Sequence, residues 1–472
     1  MWDGGVSNSQ GALMLRIFRE QVAGRPFLIL GLGRAGKALA NALLHAEADV
    51  AGYDDDESVW HQPVLQGLVG LGLRRIYRVN HQLLIPHVTV VVSPGFPAEH
   101  PVVRFLTDNG ISVYDELDFA SKFLPGVQIA VTGTNGKSTT VSLIATILKQ
   151  AGKKVFVGGN LAPGKPLSAA LNMNEKDFYV IEVSSFQLMR ARALKPKVAV
   201  LLNITEDHLD RHRSFADYVR CKLRIFEYQQ KDDWAVLNYD DPSVRKGVEN
   251  VQAEIVWFSR KKLADAYIAR GWFWFKGKAV VSVSELLQRP MKFYNLRYLP
   301  VIENALAAVC VAQILQIPIP AIKQGLRRFK HLPHRLEFVR RLHGVYFFNN
   351  SMCTNPEAGV RSLQAWRKKV ILIAGGKEKD TNFKNYLDTI RQRAKCVVLL
   401  GENSNRLAEE LSSLGFKKYE IAGSMKDAVV RAYQHARPGD VVVLSPGFAS
   451  FDLFHDFQER GRVFRNAVRQ LQ

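Results

Sequence analysis

The clearest chemical pattern in the sequence is a segment rich in glycine and hydroxyl residues, Thr132-Gly133-Thr134-Asn135-Gly136-Lys137-Ser138-Thr139-Thr140. An apolar run over 127–131 precedes it and a helix-like pattern over 137–151 follows, which is the strand–loop–helix setting of a phosphate-binding loop. Glycine lets backbone N–H groups approach an oxyanion, Lys137 adds positive charge, and Ser138 and Thr139 offer hydroxyl ligands for Mg2+. The alternative is a tight turn with an exposed lysine. We predict a nucleoside triphosphate site at Gly133, Thr134, Asn135, Gly136, Lys137, Ser138 and Thr139.

Acidic and basic side chains that follow this loop are candidate metal ligands. Glu182 lies in a strand-like run over 178–183, and a carboxylate at the end of a strand beside a phosphate loop is positioned to bind Mg2+. His208 lies in a segment dense in acidic residues, 203–212, which indicates either a metal site or a solvated polar loop. Lys222 lies on an amphipathic helix over 214–226, where its side chain either borders the buried face or is exposed.

A second glycine-rich turn, Gly31-Leu32-Gly33-Arg34-Ala35-Gly36, lies between a buried-strand pattern and an alanine- and leucine-rich helix. The next strand ends at Asp54, where an acidic residue would hold a ribose hydroxyl of a dinucleotide. A glycine turn used only for packing is the alternative, because this spacing alone is weak evidence. The strand over 88–92 ends at Ser93-Pro94-Gly95, and ligands of open α/β sheets bind at that edge.

Two breaks in the pattern divide the chain into three α/β domains. The first break is Leu124-Pro125-Gly126, and the second is His331-Leu332-Pro333-His334-Arg335. The expected domains are residues 1–123, 124–330 and 331–472, in which strands alternate with helices and form mainly parallel sheets. A β-hairpin is expected at 272–281. In the last domain each strand ends in a small or polar turn, so one sheet edge carries several loops able to bind a ligand.

The composition is that of a soluble globular protein, with 47% hydrophobic and 23% charged residues in 472 positions. No run approaches the roughly 18 apolar residues of a membrane span, and the first residues lack a secretory signal, so we expect a cytoplasmic protein without a membrane span. The four widely spaced cysteines fit no zinc pattern. The net charge of +20 (64 basic minus 44 acidic) is dispersed, so we expect no nucleic-acid partner.

Six segments together resemble the Mur ligases of bacterial peptidoglycan synthesis, and among them the members that add D-glutamate. These segments are TGTNGKSTT, IEVSSFQL, NITEDHLDRH, LPHRLE, NNSMCTNPEA and LSPGFASFDLF. The resemblance implies a Rossmann-like N-terminal domain that holds a uridine diphosphate substrate rather than NAD, a central P-loop ATPase-type domain and a Rossmann-like C-terminal domain. It also implies a reaction in which ATP phosphorylates UDP-N-acetylmuramoyl-L-alanine to an acyl phosphate, which the amine of D-glutamate then attacks.

The resemblance also assigns roles to individual residues. The catalytic residues would be Lys137, Glu182, His208 and Lys222. Mg2+ would be held by Ser138, Glu182, His208 and a carbamate that CO2 forms on Lys222. Beyond the phosphate loop, the ATP contacts would be Asn304, Arg335 and Asn350. The UDP-substrate site would comprise Gly33, Arg34, Ala35, Asp54, Ser93, Gly95, Asn160 and Ser184. The D-glutamate site would comprise Thr354, Lys379, Ser450 and Phe457.

Two segments depart from the Mur ligase pattern. Asn350 and Met352 stand where the family has an aspartate and a lysine, and Pro300-Val301 stands where a His-Asn pair begins the central helix. We therefore expect altered nucleotide contacts, with local neutrality kept because one charge of each sign is lost. Three other functions stay open: a sister ligase with different substrates, an NAD-dependent dehydrogenase built on residues 31–54, and a nucleotide-binding homologue without turnover. We expect a monomer.

Overall fold

The structure is a computed structural model that describes residues 16–81, 87–97, 99–161, 164–207, 212–286, 299–329, 333–377 and 382–472. Within these ranges the chain forms three β-sheets of five, nine and six strands. The chain divides into two compact units. The first comprises Met1–Ser282 with Ala305–Leu326, and the second comprises Val283–Asn304 with Arg327–Gln472.

The first sheet has five parallel strands in the order β3-β2-β1-β4-β5. Its elements are β1 (Pro26–Leu30), α1 (Arg34–His45), β2 (Asp49–Tyr53), α2 (Pro63–Gly70), β3 (Arg74–Arg75), β4 (Thr89–Val92), α3 (Pro101–Asp108), β5 (Val113–Asp115) and α4 (Glu116–Ser121). The chain moves outward from β1 to β3 and then returns to the other side of β1. Such a reversal opens a crevice at the carboxyl ends of the strands, where ligands of Rossmann-like folds bind.

The second sheet has nine strands in the order β14-β13-β12-β11-β10-β9-β6-β8-β7. Its strands and associated helices are β6 (Val127–Thr132), α5 (Lys137–Gln150), β7 (Val155–Gly159), β8 (Phe178–Glu182), α6 (Ser185–Arg190), β9 (Val198–Leu201), α7 (Phe215–Leu223), β10 (Trp234–Asn238), α8 (Pro242–Gly247), β11 (Glu254–Ser259), β12 (Ala266–Ala269), β13 (Trp272–Phe275) and β14 (Lys278–Ser282). Two helices follow in the sequence, α9 (Pro300–Ile314) and α10 (Ile319–Arg328). The predicted hairpin is confirmed, since β13 and β14 pair antiparallel and turn at Lys276-Gly277, both with positive φ.

The third sheet has six strands in the order β15-β16-β20-β17-β18-β19. Its elements are β15 (Glu337–Leu342), β16 (Val345–Asn349), α11 (Pro356–Gln364), β17 (Val370–Ala374), α12 (Lys384–Arg393), β18 (Ala394–Leu399), α13 (Ser404–Ser413), β19 (Tyr419–Ile421), α14 (Met425–Gln434), β20 (Val441–Leu444) and α15 (Phe457–Gln470). Only the edge strand β15 pairs antiparallel with its neighbour among the described strands of this sheet. The predicted α/β class with mainly parallel sheets is confirmed.

The parallel strands appear in the sequence as unbroken apolar runs because helices cover both faces of the sheets. Every residue of β8 is buried, including the terminal Glu182, and four of the five residues of β1 are buried. The helices instead have one apolar face; in α1, for example, Leu39 and Leu43 are buried and Lys37 is partly exposed. Across the described helices, none has the length and apolar character that a membrane crossing requires.

Helices α5 and α10 approach each other closely at Gly325. A Cβ atom added to Gly325 would lie 2.6 Å from Cα of Ile147 and 3.0 Å from its backbone nitrogen. Because these atoms belong to the backbone of α5, a change of side-chain rotamer cannot relieve the clash. The absence of a side chain at Gly325 therefore lets α10 pack closely against α5.

We expect Gly325→Ala to lower the free energy of unfolding by about 1–3 kcal/mol, because α10 must move away from α5. Gly67→Ala is the matched control, since Gly67 is an exposed helical glycine with open space around its Cα. It should raise stability by about 0.5–1 kcal/mol through its better helix propensity. Urea unfolding of both variants measures the two effects, and equal changes would contradict close packing at Gly325.

Candidate active site

The glycine-rich segment forms a loop between β6 and α5. Gly133 and Gly136 have φ values of +148° and +92°, which L side chains rarely adopt. Lys137 is the first residue of α5, and its Nζ donates hydrogen bonds to the carbonyl oxygens of Gly133 (2.9 Å) and Thr134 (3.0 Å). The loop therefore places an ammonium group and a helix N-terminus together, which is an arrangement suited to phosphate.

Asn203, which the sequence analysis did not single out, holds this loop from a position two residues after the neighbouring strand β9. Its side chain makes a two-way contact with Asn135: Oδ1 accepts from the backbone N–H at 2.8 Å, and Nδ2 donates to the backbone oxygen at 3.0 Å. The backbone oxygen of Asn203 also accepts from the N–H of Thr134 at 2.8 Å. A signal was present, since Asn203 lies just after a strand and opens the polar segment 203–212.

Lys222 is buried on α7, with 1% of its surface exposed, so the interpretation as a surface lysine is wrong. Its Nζ donates to the carbonyl oxygen of Gly133 at 3.0 Å and lies 4.6 Å from the ring centroid of Tyr218. Burial, and then the nearby charge of Lys137, hold the pKa of Lys222 well below its usual range. The charge of Asp207 and, to a smaller extent, that of Glu182 partly oppose this shift. The surroundings of this buried amine thus favour its neutral form over the ammonium form.

Glu182 supplies a buried carboxylate at the end of β8, as predicted. Its Oε1 accepts a hydrogen bond from Asn160 Nδ2 at 3.2 Å. In the part of the chain that the structure describes, its Oε2 is buried and has no hydrogen-bond partner. A buried carboxylate oxygen of this kind, with the hydroxyl of Ser138 at the start of α5, fits the preference of Mg2+ for oxygen ligands. His208, the third predicted ligand, lies outside the described residues.

A cavity of about 500 Å³ opens at the carboxyl edge of the first sheet. Seven of the eight residues predicted for the UDP-substrate site line it: Gly33, Arg34, Ala35, Asp54, Ser93, Gly95 and Asn160. Ser184 is not among the lining residues; it caps α6 in a capping box with Gln187, which does line the cavity. The volume is within the range of small-molecule sites.

Hydrogen bonds to loop backbone fix three of these lining side chains. Asp54 Oδ2 accepts from the N–H of Leu32 at 2.6 Å, and Ser93 Oγ donates to the carbonyl of Gly31 at 2.6 Å. Arg34 Nη1 donates to the backbone oxygen of Leu161 at 3.1 Å, which links the first glycine turn to the loop after β7. These hydrogen bonds therefore fix the positions of the three side chains in the cavity wall.

Glu116 also lines this cavity, although the sequence analysis did not single it out. It is buried, its Oε1 accepts from the N–H of Ser168 at 2.6 Å, and its Oε2 has no hydrogen-bond partner within the described ranges. Burial raises the pKa of Glu116, and the hydrogen bonding by Ser168 and then the charge of Arg34 only partly oppose the shift. The carboxylate gives the cavity an acceptor for a hydroxyl or amide group. Its position just after β5 was the available signal.

In the second unit, the buried guanidinium of Arg460 on α15 joins two loops. It donates to Ser351 through Nε to Oγ (3.0 Å) and Nη2 to the backbone oxygen (2.8 Å), and through Nη1 to the backbone oxygens of Phe448 (3.0 Å) and Ala449 (3.2 Å). Burial lowers its pKa to about 10. These loops contain the predicted D-glutamate residues Thr354 and Ser450, and a third, Phe457, begins α15 itself. Arg460 was missed because nothing in its spacing marks it.

Comparisons with known proteins agree with this geometry. Residues 131–312 match the family model of the Mur ligase middle domain, and residues 334–448 match that of the Mur ligase glutamate ligase domain. The UDP-N-acetylmuramoylalanine–D-glutamate ligase of Caldanaerobacter subterraneus subsp. tengcongensis is 36% identical over 452 residues, covering 94% of this chain and 98% of that protein. The ligase of the same name from Thermoanaerobacter pseudethanolicus is 37% identical over 460 residues, covering 96% and 99%. The chain belongs to the Mur ligase family.

Solved structures of Mur ligases share the fold. A MurF ligase from Thermotoga maritima, in complex with ADP, has a TM-score of 0.59 at 18% identity, covering 96% of this chain and 97% of that one. At this identity the likeness concerns the fold alone, and it agrees with the three-domain Mur ligase architecture expected from the sequence.

The departures from the Mur ligase motifs have distinct structural settings. Asn350 accepts from the N–H of Leu336 through Oδ1 and donates to Ser445 Oγ through Nδ2, both at 3.2 Å. An aspartate could accept the hydrogen bond from Leu336 but could not donate one. The Nδ2 group that replaces its second oxygen has a partner in Ser445 Oγ. Pro300 is the first residue of α9, where its missing N–H costs nothing, and Asn304 is buried on the same helix. Arg335 is half-buried, and Lys379 lies outside the described residues.

We expect Asn203→Ala to raise the KM for ATP by about 10-fold or more, because the phosphate loop loses two hydrogen bonds worth about 1 kcal/mol each. Steady-state kinetics with ATP as the varied substrate measure this effect. The matched control is Asn238→Ala, which removes a buried amide that donates to Leu202 and accepts from Asp240, neither of which belongs to residues 133–139. A similar rise in KM in the control would contradict a specific role of Asn203.

Proposed function

We propose that this protein is an ATP-dependent ligase that joins D-glutamate to UDP-N-acetylmuramoyl-L-alanine in peptidoglycan precursor synthesis. The observation that carries the proposal is identity of 36–37% over nearly the whole chain to ligases with that reaction in their name. The phosphate loop, the buried lysine and the cavity beside the first sheet supply the groups that such a reaction needs. A dehydrogenase built on residues 31–54 would leave the loop at residues 133–139 without a role.

Amide formation requires an activated carboxylate, because its oxygen is a poor leaving group. The carboxylate of UDP-N-acetylmuramoyl-L-alanine attacks the γ-phosphorus of ATP, which yields an acyl phosphate and releases ADP. The amine of D-glutamate then adds to the acyl carbon, and the tetrahedral intermediate expels phosphate as the amide forms. Phosphoryl transfer of this kind depends on positioning and on cations that neutralise charge. Lys137 supplies one such cation at the loop.

Bound Mg2+ would neutralise the phosphate charge, and Ser138 and Glu182 would hold it. The orphaned Oε2 of Glu182 supports this assignment. His208 completes the proposed ligand set. We assign the phosphates of ATP to residues 133–139, with Asn304, Arg335 and Asn350 as further ATP contacts.

We assign the UDP-sugar substrate to the cavity lined by Arg34, Asp54 and Ser93. Asn160 lines that cavity and also donates to Glu182. One side chain therefore connects the substrate cavity to the proposed metal ligand. We assign D-glutamate to Thr354, Lys379, Ser450 and Phe457, where a cation and hydroxyls suit an amino acid with two carboxylates.

Lys222 is the residue that most needs a chemical role. As an ammonium group it would add a second positive charge beside Lys137 and could not ligate Mg2+. Addition of CO2 to its neutral amine would form a carbamate, which is an anionic oxygen ligand. The buried position of Nζ, against the Gly133 carbonyl and near Glu182, supports this assignment. We include the carbamate in the proposed Mg2+ site.

The cellular setting is part of the same proposal. We place the protein in the cytoplasm as a monomer that binds small-molecule substrates and no nucleic acid. The net charge of +20 then attracts two polyanionic substrates, ATP and the UDP-sugar. We also propose that the three domains comprise residues 1–123, 124–330 and 331–472.

The decisive measurement is phosphate release with ATP, Mg2+ and UDP-N-acetylmuramoyl-L-alanine, with D-glutamate or L-glutamate supplied in parallel. We expect release that requires D-glutamate and falls about 10²–10³-fold in Lys137→Ala, because a cation at the transferred phosphate is lost. Lys149→Ala is the matched control, since Lys149 is exposed on the same helix. Turnover only with another amino acid would instead indicate a sister ligase. ATP binding without turnover would indicate a silent homologue and would implicate Asn350 and Met352.

Carbamylation of Lys222 is tested by supplying ¹³C-bicarbonate and recording the carbon NMR spectrum. We expect one carbamate resonance in the native protein and none in Lys222→Arg, because a guanidinium cannot form this carbamate. Lys149→Ala should keep the resonance. A native protein with full activity and no carbamate resonance would contradict the assignment.

A further inference from the structure

Three side chains of different ligand type meet beside α7: the imidazole of His212, the carboxylate of Asp217 and the thiol of Cys221. One ligand atom from each lies within 4.8 Å of the other two. His212 and Cys221 are buried, and Asp217 is half-buried. The proposed ligase reaction uses none of them, so their grouping requires a separate explanation.

Local structure brings these side chains together within ten consecutive residues. Asp217 and Cys221 are one turn apart on α7 and therefore share a face of the helix. Ser214 caps the helix, because its Oγ accepts from the backbone N–H of Asp217 at 3.1 Å. His212 lies two residues before this cap. The cluster therefore depends on one helix and the turn that precedes it.

The ring of His212 is held in a defined orientation. It stacks on Phe186 with 5.6 Å between centroids and meets Tyr218 edge-on at 5.0 Å. Nε2 lies 3.0 Å from Ser185 Oγ, and Nδ1 lies 3.9 Å from Asp217 Oδ2. In the tautomer with the proton on Nε2, Nε2 donates a hydrogen bond to Ser185 Oγ. The lone pair of Nδ1 then faces the cluster. Metal-bound histidines commonly have such an outer hydrogen bond.

The carboxylate is also oriented. Arg220 Nη2 donates to Asp217 Oδ1 at 3.1 Å, so that Oδ2 is the oxygen facing His212. A tetrahedral zinc site with bond lengths of about 2.0–2.3 Å places its ligand atoms roughly 3.3–3.8 Å apart. On binding zinc, the longest distance between two of these ligand atoms must therefore shorten by about 1 Å. Arg220 is largely exposed and can follow the carboxylate.

We propose that His212, Asp217 and Cys221 form a binding site for Zn2+, with water as the fourth ligand. The thiolate and imidazole select Zn2+ over Mg2+, which prefers oxygen ligands. Formation of the sulfur–metal bond releases the thiol proton to solvent. The bound ion ties the connection after β9 to α7, the helix that carries Lys222.

Cobalt reports on this site, because a cobalt–thiolate bond produces a near-ultraviolet charge-transfer absorption that oxygen ligands do not. We expect Co2+ added to the full-length protein in excess Mg2+ to give this band at one equivalent, and one equivalent of Zn2+ to remove it. Cys221→Ala and Cys221→Ser should abolish the band. Ser185→Ala should weaken binding about 10- to 100-fold, because the outer hydrogen bond to the imidazole is lost.

Cys396→Ala is the matched control, since Cys396 is also buried and lies in β18 of the second unit. It should leave the cobalt band unchanged. No band in the native protein, or a band that survives in both Cys221 variants, would overturn the proposal. The absorption does not depend on ATP or ligase turnover, so this result is independent of the proposed function.

Discussion

Two lysine side chains converge on one carbonyl oxygen, and this interaction constrains the rest of the site. Lys137 Nζ and Lys222 Nζ lie 2.9 Å and 3.0 Å from the oxygen of Gly133. Two ammonium groups that share this carbonyl oxygen would bring two positive charges close together, and Lys222 is fully buried. The repulsion is relieved when Lys222 is neutral, when it becomes an anionic carbamate, or when phosphate draws Lys137 away from the loop. Each of these three changes is compatible with a site that binds the negatively charged phosphates of a nucleoside triphosphate.

The positions of these lysines depend on neighbouring parallel strands. β6 leads into the loop that carries Lys137, β8 ends in Glu182, and β9 leads to Asn203. Because β6 lies between β8 and β9, their carboxyl ends bring a cation, a carboxylate and an amide to one edge. Asn203 then fixes the loop through Asn135. A change in strand register would separate these groups, so the sheet core and the chemistry share one constraint.

The sequence predicted the elements better than the contacts between them. The phosphate loop, the hairpin at 272–281 and the parallel sheets follow from local patterns, because apolar runs and glycine turns depend on neighbours in the chain. Lys222 could not be placed from its helix alone, since its burial depends on the loop that packs against it. Glu116 and Arg460 were missed for a related reason: their partners, Ser168 and the loops at 351 and 448–449, are distant in the sequence.

The replacements at 350 and 352 remove one charge of each sign from the loop after β16. An aspartate and a lysine at these positions would each carry a desolvation cost that their mutual attraction offsets. Removing both avoids an uncompensated charge, whereas removing one would leave it. Asn350 keeps an acceptor for Leu336 N–H and gains a donor for Ser445 Oγ, so the loop after β16 retains hydrogen bonds on both sides. The loop geometry can therefore persist without the two charges. In the proposed ATP site, the positive charge beside the phosphates would then come mainly from Lys137 and Mg2+.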